Sequence, residues 1–248
     1  MGFWPVVLNV IRNSDVILII VDARIPEVTS NSEIIRIAKE KNKRLVPVFN
    51  KSDLLSQAEI SKLKKQYPNS YFISAKKRTG VKDLKAMLEN LAENWSRSSL
   101  RIGVVGYPNT GKSTLINLLA PSAKAKVSSV SGTTKKTQWV RIGKLRIMDS
   151  PGVIPFKDEK VQVGLTASKD PHKIRNPEKI AIKIIEMLTQ RNTNILEKKY
   201  NASGKTPYEI FESIGNRLNY LIKGGEIDEN RTAIKIIDDW QKGKIKIE

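Results

Sequence analysis

Short apolar runs alternate with amphipathic segments through the first 156 residues. Runs rich in Ile, Val and Leu, typical of buried β-strands, are DVILIIVDAR (15–24), RLVPVFN (44–50), SYFISAK (70–76), LRIGVV (100–105), TQWVRI (137–142) and KLRIMD (144–149). Segments with apolar residues three or four positions apart, typical of helices, lie at 32–43, with Ser32 as a possible cap, and at 57–66 and 80–95. This alternation predicts βαβ units, and therefore an α/β fold with a mostly parallel sheet flanked by helices.

The strand pattern ends near Lys157, and the rest of the chain has helical spacing. Its helical segments, separated by turns with Gly or Pro, are IAIKIIEMLTQR, PYEIFESIGNRLNYLIK and ENRTAIKIIDDWQK. We predict an α/β domain over residues 1–156 and a smaller helical C-terminal domain over 157–248. No apolar run approaches the roughly 18 residues of a membrane span, and the start of the chain lacks a signal-peptide pattern. We expect a soluble, cytoplasmic protein with no membrane partner.

Charge is unevenly distributed along the chain. It holds 44 basic and 25 acidic residues, a formal charge of +19, with no cysteine and one histidine, so disulfide and zinc chemistry are not expected. Of these, 26 basic but only 11 acidic residues lie in 1–156. The stretch 120–148 has no acidic residue and contains Lys124, Lys126, Lys135, Lys136, Arg141, Lys144 and Arg146. It is the candidate RNA face, although a solvated lysine-rich surface explains the total charge equally well.

The segment GYPNTGKS at 106–113 has the phosphate-loop spacing GxxxxGK[ST] and lies between a predicted strand and a predicted helix. In such a loop the backbone N–H groups surround the β-phosphate, and the helix N-terminus adds positive potential. Lys112 would neutralise the β- and γ-oxygens, and Ser113 would bind Mg²⁺. The residues expected at the phosphates are Asn109, Thr110, Gly111, Lys112, Ser113 and Thr114.

A second phosphate motif, DSPG at 149–152, ends the last predicted strand. Asp149 would hold Mg²⁺ through water, and the amide of Gly152 would meet the γ-phosphate. By itself, an ordinary exit from a strand into a turn also explains this motif. Thr134 is favoured over Thr133 to complete the Mg²⁺ shell, with a cap or turn role as an even alternative. Lys112, Thr134 and Gly152 are thus the candidates for stabilising the transferred phosphoryl group.

Two further motifs suit a guanine base. In NKSD, at 50–53, Asp53 can accept hydrogen bonds from guanine N1–H and the 2-amino group, which adenine does not offer in that arrangement. Lys51 would lay its methylenes over the base, and Asn50 completes the reading set. In SAK, the residues Ser74, Ala75 and Lys76 would add a backbone N–H to the guanine carbonyl. NKSD alone also fits a helix cap.

The base-reading motifs precede the phosphate loop, which reverses the usual order. In this order, and with DARIP at 22–26 and GTTK at 132–135, the sequence resembles the circularly permuted GTPases of the YlqF/RbgA type over nearly its whole length. The resemblance implies a circularly permuted P-loop G domain with motif order G4-G5-G1-G2-G3, GTP, GDP and Mg²⁺ as ligands, and a role in assembly of the large ribosomal subunit. It also implies a potassium ion at Asn109.

The expected partners are the large ribosomal subunit or its rRNA, with no DNA partner, and we expect a monomer. We interpret the helical domain as an RNA-docking module or lever, with a passive stabilising lid as the alternative. Other functions compatible with the sequence are a nucleotide-gated RNA-binding scaffold with little turnover and a G protein acting on tRNA or on a protein. An ATP-using kinase would leave Asp53 without a role.

The group that positions the catalytic water is not evident from the sequence. Val153 follows DSPG, where many GTPases have a glutamine, and it cannot form a hydrogen bond through its side chain. The resemblance implies this replacement, but the start MGFWPVVLNV lacks the histidine that some family members use. His172 fits an ordinary surface or capping role. We expect slow intrinsic hydrolysis that a ribosomal particle, or potassium, stimulates.

Overall fold

The computed structural model describes residues 4–121, 139–152, 165–166, 170–192 and 194–247. The chain divides into two compact units. The first contains residues 1–53 and 57–157, and the second contains residues 54–56 and 158–248. Among the described residues, no helix combines the length and apolar character needed to cross a membrane.

The first unit is built on a six-stranded sheet. Its strands are β1 (Val16–Asp22), β2 (Arg44–Asn50), β3 (Tyr71–Phe72), β4 (Leu100–Gly106), β5 (Trp139–Ile142) and β6 (Leu145–Asp149). They lie in the order β3-β2-β1-β4-β6-β5, and every neighbouring pair is parallel except β5 and β6. All seven residues of β1 are buried, as expected of an inner strand of a parallel sheet with helices packed on it. The predicted mostly parallel sheet flanked by helices is confirmed.

The described helices of the first unit are α1 (Trp4–Asn13), α2 (Pro26–Thr29), α3 (Ser32–Glu40), α4 (Gln57–Gln66), α5 (Val81–Glu93) and α6 (Lys112–Leu119). Leu84 and Leu88 of α5 join the core that also contains β1 and β4. The cap of α3 is Asn31, whose side chain accepts from the Ile34 N–H, so Ser32 lies inside the helix and the expectation for Ser32 was wrong. The sequence did not predict α1.

The second unit is helical in its described residues. Its helices are α7 (Pro177–Arg191), α8 (Asn194–Tyr200), α9 (Pro207–Arg217) and α10 (Glu229–Gln241). Both α9 and α10 pack on α7. Trp240 is fully buried, and its indole N–H donates to the Leu165 carbonyl at 3.0 Å. The unit also includes Leu54–Ser56, which follow Asp53 in the chain and form two backbone hydrogen bonds with Ile247.

The third predicted strand is shorter in the structure than in the sequence pattern. Residues 70–76 were expected to be extended, but β3 contains only Tyr71–Phe72. Ser74 and Thr79 exchange backbone hydrogen bonds of 3.0 and 3.2 Å, and this turn ends the strand. Several sequence predictions concern residues outside the described ranges, namely Lys124, Lys126, Thr133, Thr134, Lys135, Lys136 and Val153.

Candidate nucleotide-binding site

The four predicted motifs follow four parallel strands. NKSD follows β2, SAK follows β3, the phosphate loop follows β4, and DSPG follows β6. Because these strands are parallel, their carboxyl ends meet at one edge of the sheet, where α/β proteins bind ligands. Motifs that are far apart in the sequence therefore lie at one edge.

Asn50 joins three of these loops. Its side-chain N–H donates to the Thr110 carbonyl at 2.7 Å, and its side-chain oxygen accepts from the Ala75 N–H at 2.9 Å. Asn50 is 3% exposed, so both hydrogen bonds lie away from water. The Thr110 hydroxyl in turn donates to the Tyr107 carbonyl at 2.9 Å within the phosphate loop. The amide of Asn50 thus fixes the NKSD and SAK loops relative to the phosphate loop.

Glycines allow the phosphate loop to pass close to its neighbours. Gly106 and Gly111 have φ of +149° and +95°, values that L-residues rarely adopt. A Cβ at Gly106 would collide with the Ile20 carbonyl of β1, and one at Gly111 would collide with the Asn50 amide. Gly111 caps α6, whose first residue is Lys112. The free N–H groups of this helix start are the kind that bind phosphate.

Lys112 is buried inside the loop. Its ammonium donates to the carbonyls of Gly106, at 3.2 Å, and Tyr107, at 2.7 Å. Burial lowers the pKa of Lys112 to about 8, although the negative charge of Asp149 acts in the opposite direction. A polyphosphate beside this ammonium would favour its charged form.

Ser113 and Asp149 form the candidate magnesium site. The Ser113 hydroxyl donates to a carboxylate oxygen of Asp149 at 2.7 Å. Hydroxyl and carboxylate oxygens suit Mg²⁺, which typically takes few protein ligands and completes its octahedron with water and phosphate oxygens. No group of three or more acidic or histidine side chains suited to a metal occurs in the described part of the chain. The residues therefore fit Mg²⁺ held jointly with a nucleotide.

Gly152 packs directly on the phosphate loop. A Cβ at this position would lie 2.6 Å from both N and Cα of Pro108, a distance that requires the backbone to move. DSPG and the phosphate loop are therefore in backbone contact. The predicted role of the Gly152 amide at the γ-phosphate remains a prediction.

Lys51 is held by Asp22, a residue for which the sequence predicts no role in the site. Its ammonium lies 2.8 Å from Asp22, the last residue of β1, and Asp22 also pairs with Arg24. Asp22 and Arg24 belong to DARIP, which served only to support the family resemblance. In the sequence, the carboxylate of Asp22 at the end of an apolar strand indicates that this residue needs a partner. The sequence does not identify that partner, because Lys51 is 29 residues away.

The other predicted residues occupy less constrained positions. Asp53 and Asn109 are half-buried, and Asn109 has a positive φ of +56°. Ser74 is buried and its hydroxyl accepts from the Lys77 N–H at 3.0 Å, whereas Lys76 is exposed. Thr114, in the first turn of α6, is half-buried. The base-reading, potassium and metal assignments of these residues remain predictions.

The sheet order and the four loops define a circularly permuted phosphate-loop G domain. In agreement, residues 101–212 match the family model described as 50S ribosome-binding GTPase. An uncharacterized GTP-binding protein of Methanocaldococcus jannaschii is 38% identical over 97% of this chain and 65% of its own length. Nucleolar GTP-binding protein 2 of Pneumocystis carinii is 31% identical over 98% of this chain and 52% of its own length. The chain thus spans less than two thirds of these relatives.

Two solved structures of YlqF share the fold over nearly their whole length. A GDP-bound YlqF has a TM-score of 0.67 at 22% identity and covers 97% of this chain and 96% of its own. The GNP-bound YlqF from T. maritima has a TM-score of 0.65 at 21% identity, with coverages of 99% and 97%. The chain has the fold of the circularly permuted, YlqF-like GTPases, and the resemblance stated from its motifs is confirmed.

Proposed function

We propose that the protein binds GTP and GDP with Mg²⁺, hydrolyses GTP, and acts in the cytoplasm in assembly of the large ribosomal subunit. The observation that carries this proposal is the position of Asn50, which hydrogen-bonds to both the phosphate loop and the SAK loop. A base-reading loop fixed to a phosphate loop is the arrangement needed to select one nucleotide. The ribosomal client is supported by the family match to a 50S ribosome-binding GTPase.

Each motif has a defined task in this proposal. The loop amides and Lys112 neutralise the phosphates, and Ser113 and Asp149 hold Mg²⁺, which supplies positive charge at the β- and γ-phosphates when bound. Asp53 selects guanine. Thr134 as a further Mg²⁺ ligand and Asn109 as a potassium ligand are predictions from the sequence. Val153 cannot orient water through its side chain, so we expect slow hydrolysis until a ribosomal particle, or potassium, contributes stabilisation.

The β5–β6 hairpin supports an RNA partner. Arg141 and Arg146 lie directly opposite each other in this antiparallel pair, and both are exposed. Neither they nor Lys144, in the turn, forms an ion pair with another described residue. Trp139, 38% exposed, adds an aromatic surface. Like charges opposite each other destabilise a sheet, and an RNA phosphate between them would remove that repulsion.

An RNA surface on the second unit must avoid one part of it. A cleft of about 660 Å³ in that unit is lined by nine residues, of which four are acidic and none is basic. The acidic residues are Glu212, Glu226, Asp228 and Glu229. Such a cleft repels phosphates. An RNA surface on the second unit would therefore lie outside this cleft.

The test is co-sedimentation with purified large ribosomal subunits, at near-physiological potassium and salt, with a non-hydrolysable GTP analogue or GDP. We expect retention with the analogue and release with GDP. The double variant Arg141→Glu with Arg146→Glu should weaken retention. The slope of the logarithm of the binding constant against the logarithm of the salt concentration should become shallower by about one per lost phosphate contact. Lys62→Glu with Lys65→Glu, two exposed changes on α4, gives the same charge change as a control.

A second assay, with GTP and the same subunits and with release of phosphate as the readout, separates hydrolysis from binding alone. Val153 favours the alternative of a scaffold with little turnover. That alternative predicts retention with the GTP analogue but no release of phosphate from GTP when subunits are added. Equal retention in both nucleotide states, or none in either, would contradict the proposed assembly function. Binding to tRNA instead would favour a G protein with a different client.

A further inference from the structure

DARIP, at 22–26, contains none of the residues assigned to the nucleotide or to Mg²⁺. Its first residue, Asp22, ends β1 and pairs in register with Asn50 of β2. Its carboxylate accepts from Arg24 Nε at 3.0 Å and Nη2 at 2.8 Å, and from the Lys51 ammonium at 2.8 Å. The side chains of Asp22 and Arg24 are 5% and 1% exposed. One buried carboxylate thus binds two cations.

Lys51 is restrained at both ends of its side chain. Its backbone has a φ of +63°, a region that non-glycine residues rarely adopt and that often occurs at functional sites. Its ammonium is bound to Asp22, so the four-carbon stem spans from the end of β2 to the end of β1. A free lysine would lose about 2 kcal/mol of rotamer entropy on ordering. Here the lysine is ordered by the protein itself.

The charges of the three residues depend on each other. Burial lowers the pKa of Lys51, and the Asp22 carboxylate opposes that effect. Burial alone would raise the pKa of Asp22, but the cations Arg24 and Lys51 outweigh it and hold that pKa well below its usual range. Buried ion pairs often contribute little net stability, because the cost of removing both charges from water offsets their attraction.

We propose that Asp22, supported by Arg24, is a positioning residue for base recognition that anchors Lys51 so that its stem lies across the plane of guanine. The inference rests on the proposed function, in which NKSD binds the guanine base. Asp22 itself touches no nucleotide in this proposal and acts through Lys51. DARIP and NKSD then act together in base recognition, and the pairing of β1 with β2 holds the two motifs next to each other.

The test is a double-mutant cycle on GDP affinity, with ADP as the reference nucleotide. Asp22→Asn removes the anchor, and Lys51→Met keeps an unbranched side chain but removes the ammonium. We expect each change to weaken GDP binding about tenfold, and the double variant to bind no more than about tenfold more weakly than the wild type. If Asp22 had only a structural role, the two losses would multiply, and the double variant would bind GDP about a hundredfold more weakly than the wild type.

Asp15→Asn is the matched control. Asp15 precedes β1 at the opposite edge of the sheet and pairs with Arg101 at 2.8 Å, with its side chain 7% exposed. This variant should lose stability as Asp22→Asn does but keep its GDP affinity within about twofold, since additivity holds for distant sites. If Asp22→Asn does not fold, Asp22→Glu keeps the charge and displaces the anchor by one methylene. It should weaken GDP binding only when Lys51 is present.

The outcomes distinguish this inference from the proposed function. A wild-type chain with no preference for GDP over ADP would overturn guanine recognition, and the positioning role with it. If the wild type prefers GDP over ADP, two results would overturn the positioning role alone. Either Asp22→Asn leaves GDP affinity unchanged, or the losses of the two single variants multiply in the double variant. A tenfold, non-multiplying loss with an unaffected Asp15→Asn control would support it.

Discussion

The side-chain amide of Asn50 donates a hydrogen bond to the main-chain carbonyl of Thr110 at 2.7 Å, across 60 residues of sequence. Asn50 ends β2, and Thr110 lies in the phosphate loop after β4, with β1 between these two strands. The circular permutation therefore reverses the order of these residues in the chain but leaves them in contact. We expect nucleotide selection to depend on this contact between loops.

Replacing Asn50 with alanine should weaken binding of both GDP and GTP analogues by about tenfold or more. The change leaves two buried groups, the Thr110 carbonyl and the Ala75 N–H, without their partner, at a cost of about 1–3 kcal/mol each. Titration with a fluorescent guanine nucleotide measures this loss. Asn94→Ala is the control, because Asn94 is exposed and its side chain donates to the nearby Asn90 carbonyl at the end of α5. Equal affinities of the two variants would contradict the linking role of Asn50.

Asp53→Asn should shift preference from GTP toward XTP. An amide at this position can donate to the additional oxygen of xanthine, whereas it loses one of the two hydrogen bonds that a carboxylate accepts from guanine. We expect a loss of GTP affinity of at least about a hundredfold and a gain for XTP, measured by competition. Asp83→Asn, an exposed change on α5, should leave the preference unaltered. Retained GTP selectivity in Asp53→Asn would show that another residue reads the base.

Local patterns predicted much of this structure, and contacts between distant residues account for the differences. The spacing of apolar residues predicted α4 with its observed bounds, Gln57–Gln66, because helix periodicity is a local property. The pattern overestimated the length of β3, because a backbone turn between Ser74 and Thr79 ends that strand. The motifs identified the phosphate loop, but the pairing of Asp22 with Lys51 depends on strand register. Register joins residues that no local pattern relates.

The buried ammonium of Lys112 should make GDP binding depend on pH. Its pKa is lowered to about 8 by burial, so at pH 8 about half of the free protein carries the neutral amine. Phosphate favours the charged form, and binding at pH 8 should therefore take up about half a proton. Affinity should then fall as pH rises above 8. Calorimetry in buffers of different ionisation enthalpy measures this uptake, and Lys112→Met should abolish it. Zero uptake by the wild type at pH 8 would contradict the lowered pKa.

Gly152→Ala should damage the phosphate site more than the fold. The added Cβ would lie 2.6 Å from the backbone of Pro108, so either DSPG or the phosphate loop must shift. We expect at least about a tenfold loss of affinity for a GTP analogue, because the shift displaces backbone N–H groups from the phosphate, and one hydrogen bond to a charged group contributes about 1.5–3 kcal/mol. Gly143→Ala, in the β5–β6 turn, is the control: its φ is +53° and no atom lies within 4 Å of an added Cβ. If both variants bind the analogue normally, DSPG does not constrain the loop.

Asp239→Asn should destabilise the second unit at neutral pH. This fully buried carboxylate accepts from the Tyr200 hydroxyl at 3.0 Å and pairs with Lys235 and, at 3.1 Å, with Lys244. Burial alone would raise its pKa, but the two lysines and Tyr200 outweigh it and hold the pKa below 3.8. We expect a loss of about 1.5–3 kcal/mol, as for hydrogen bonds to a charged group. Both lysines are partly exposed and can turn to water, which favours the lower part of that range.

The sign of the pH effect follows from the lowered pKa. The stabilisation by Asp239 is complete above the unfolded value near 3.8 and is lost as pH falls through the folded value. Denaturation of wild type and Asp239→Asn should therefore give a difference at pH 7 that shrinks below about pH 4. Asp238→Asn, with a 28% exposed side chain paired to Lys242, should cost less than about 1 kcal/mol. A difference that grows as the pH falls would mean that protonated Asp239 is the stabilising form, because linkage ties the slope to the proton that the folded state binds.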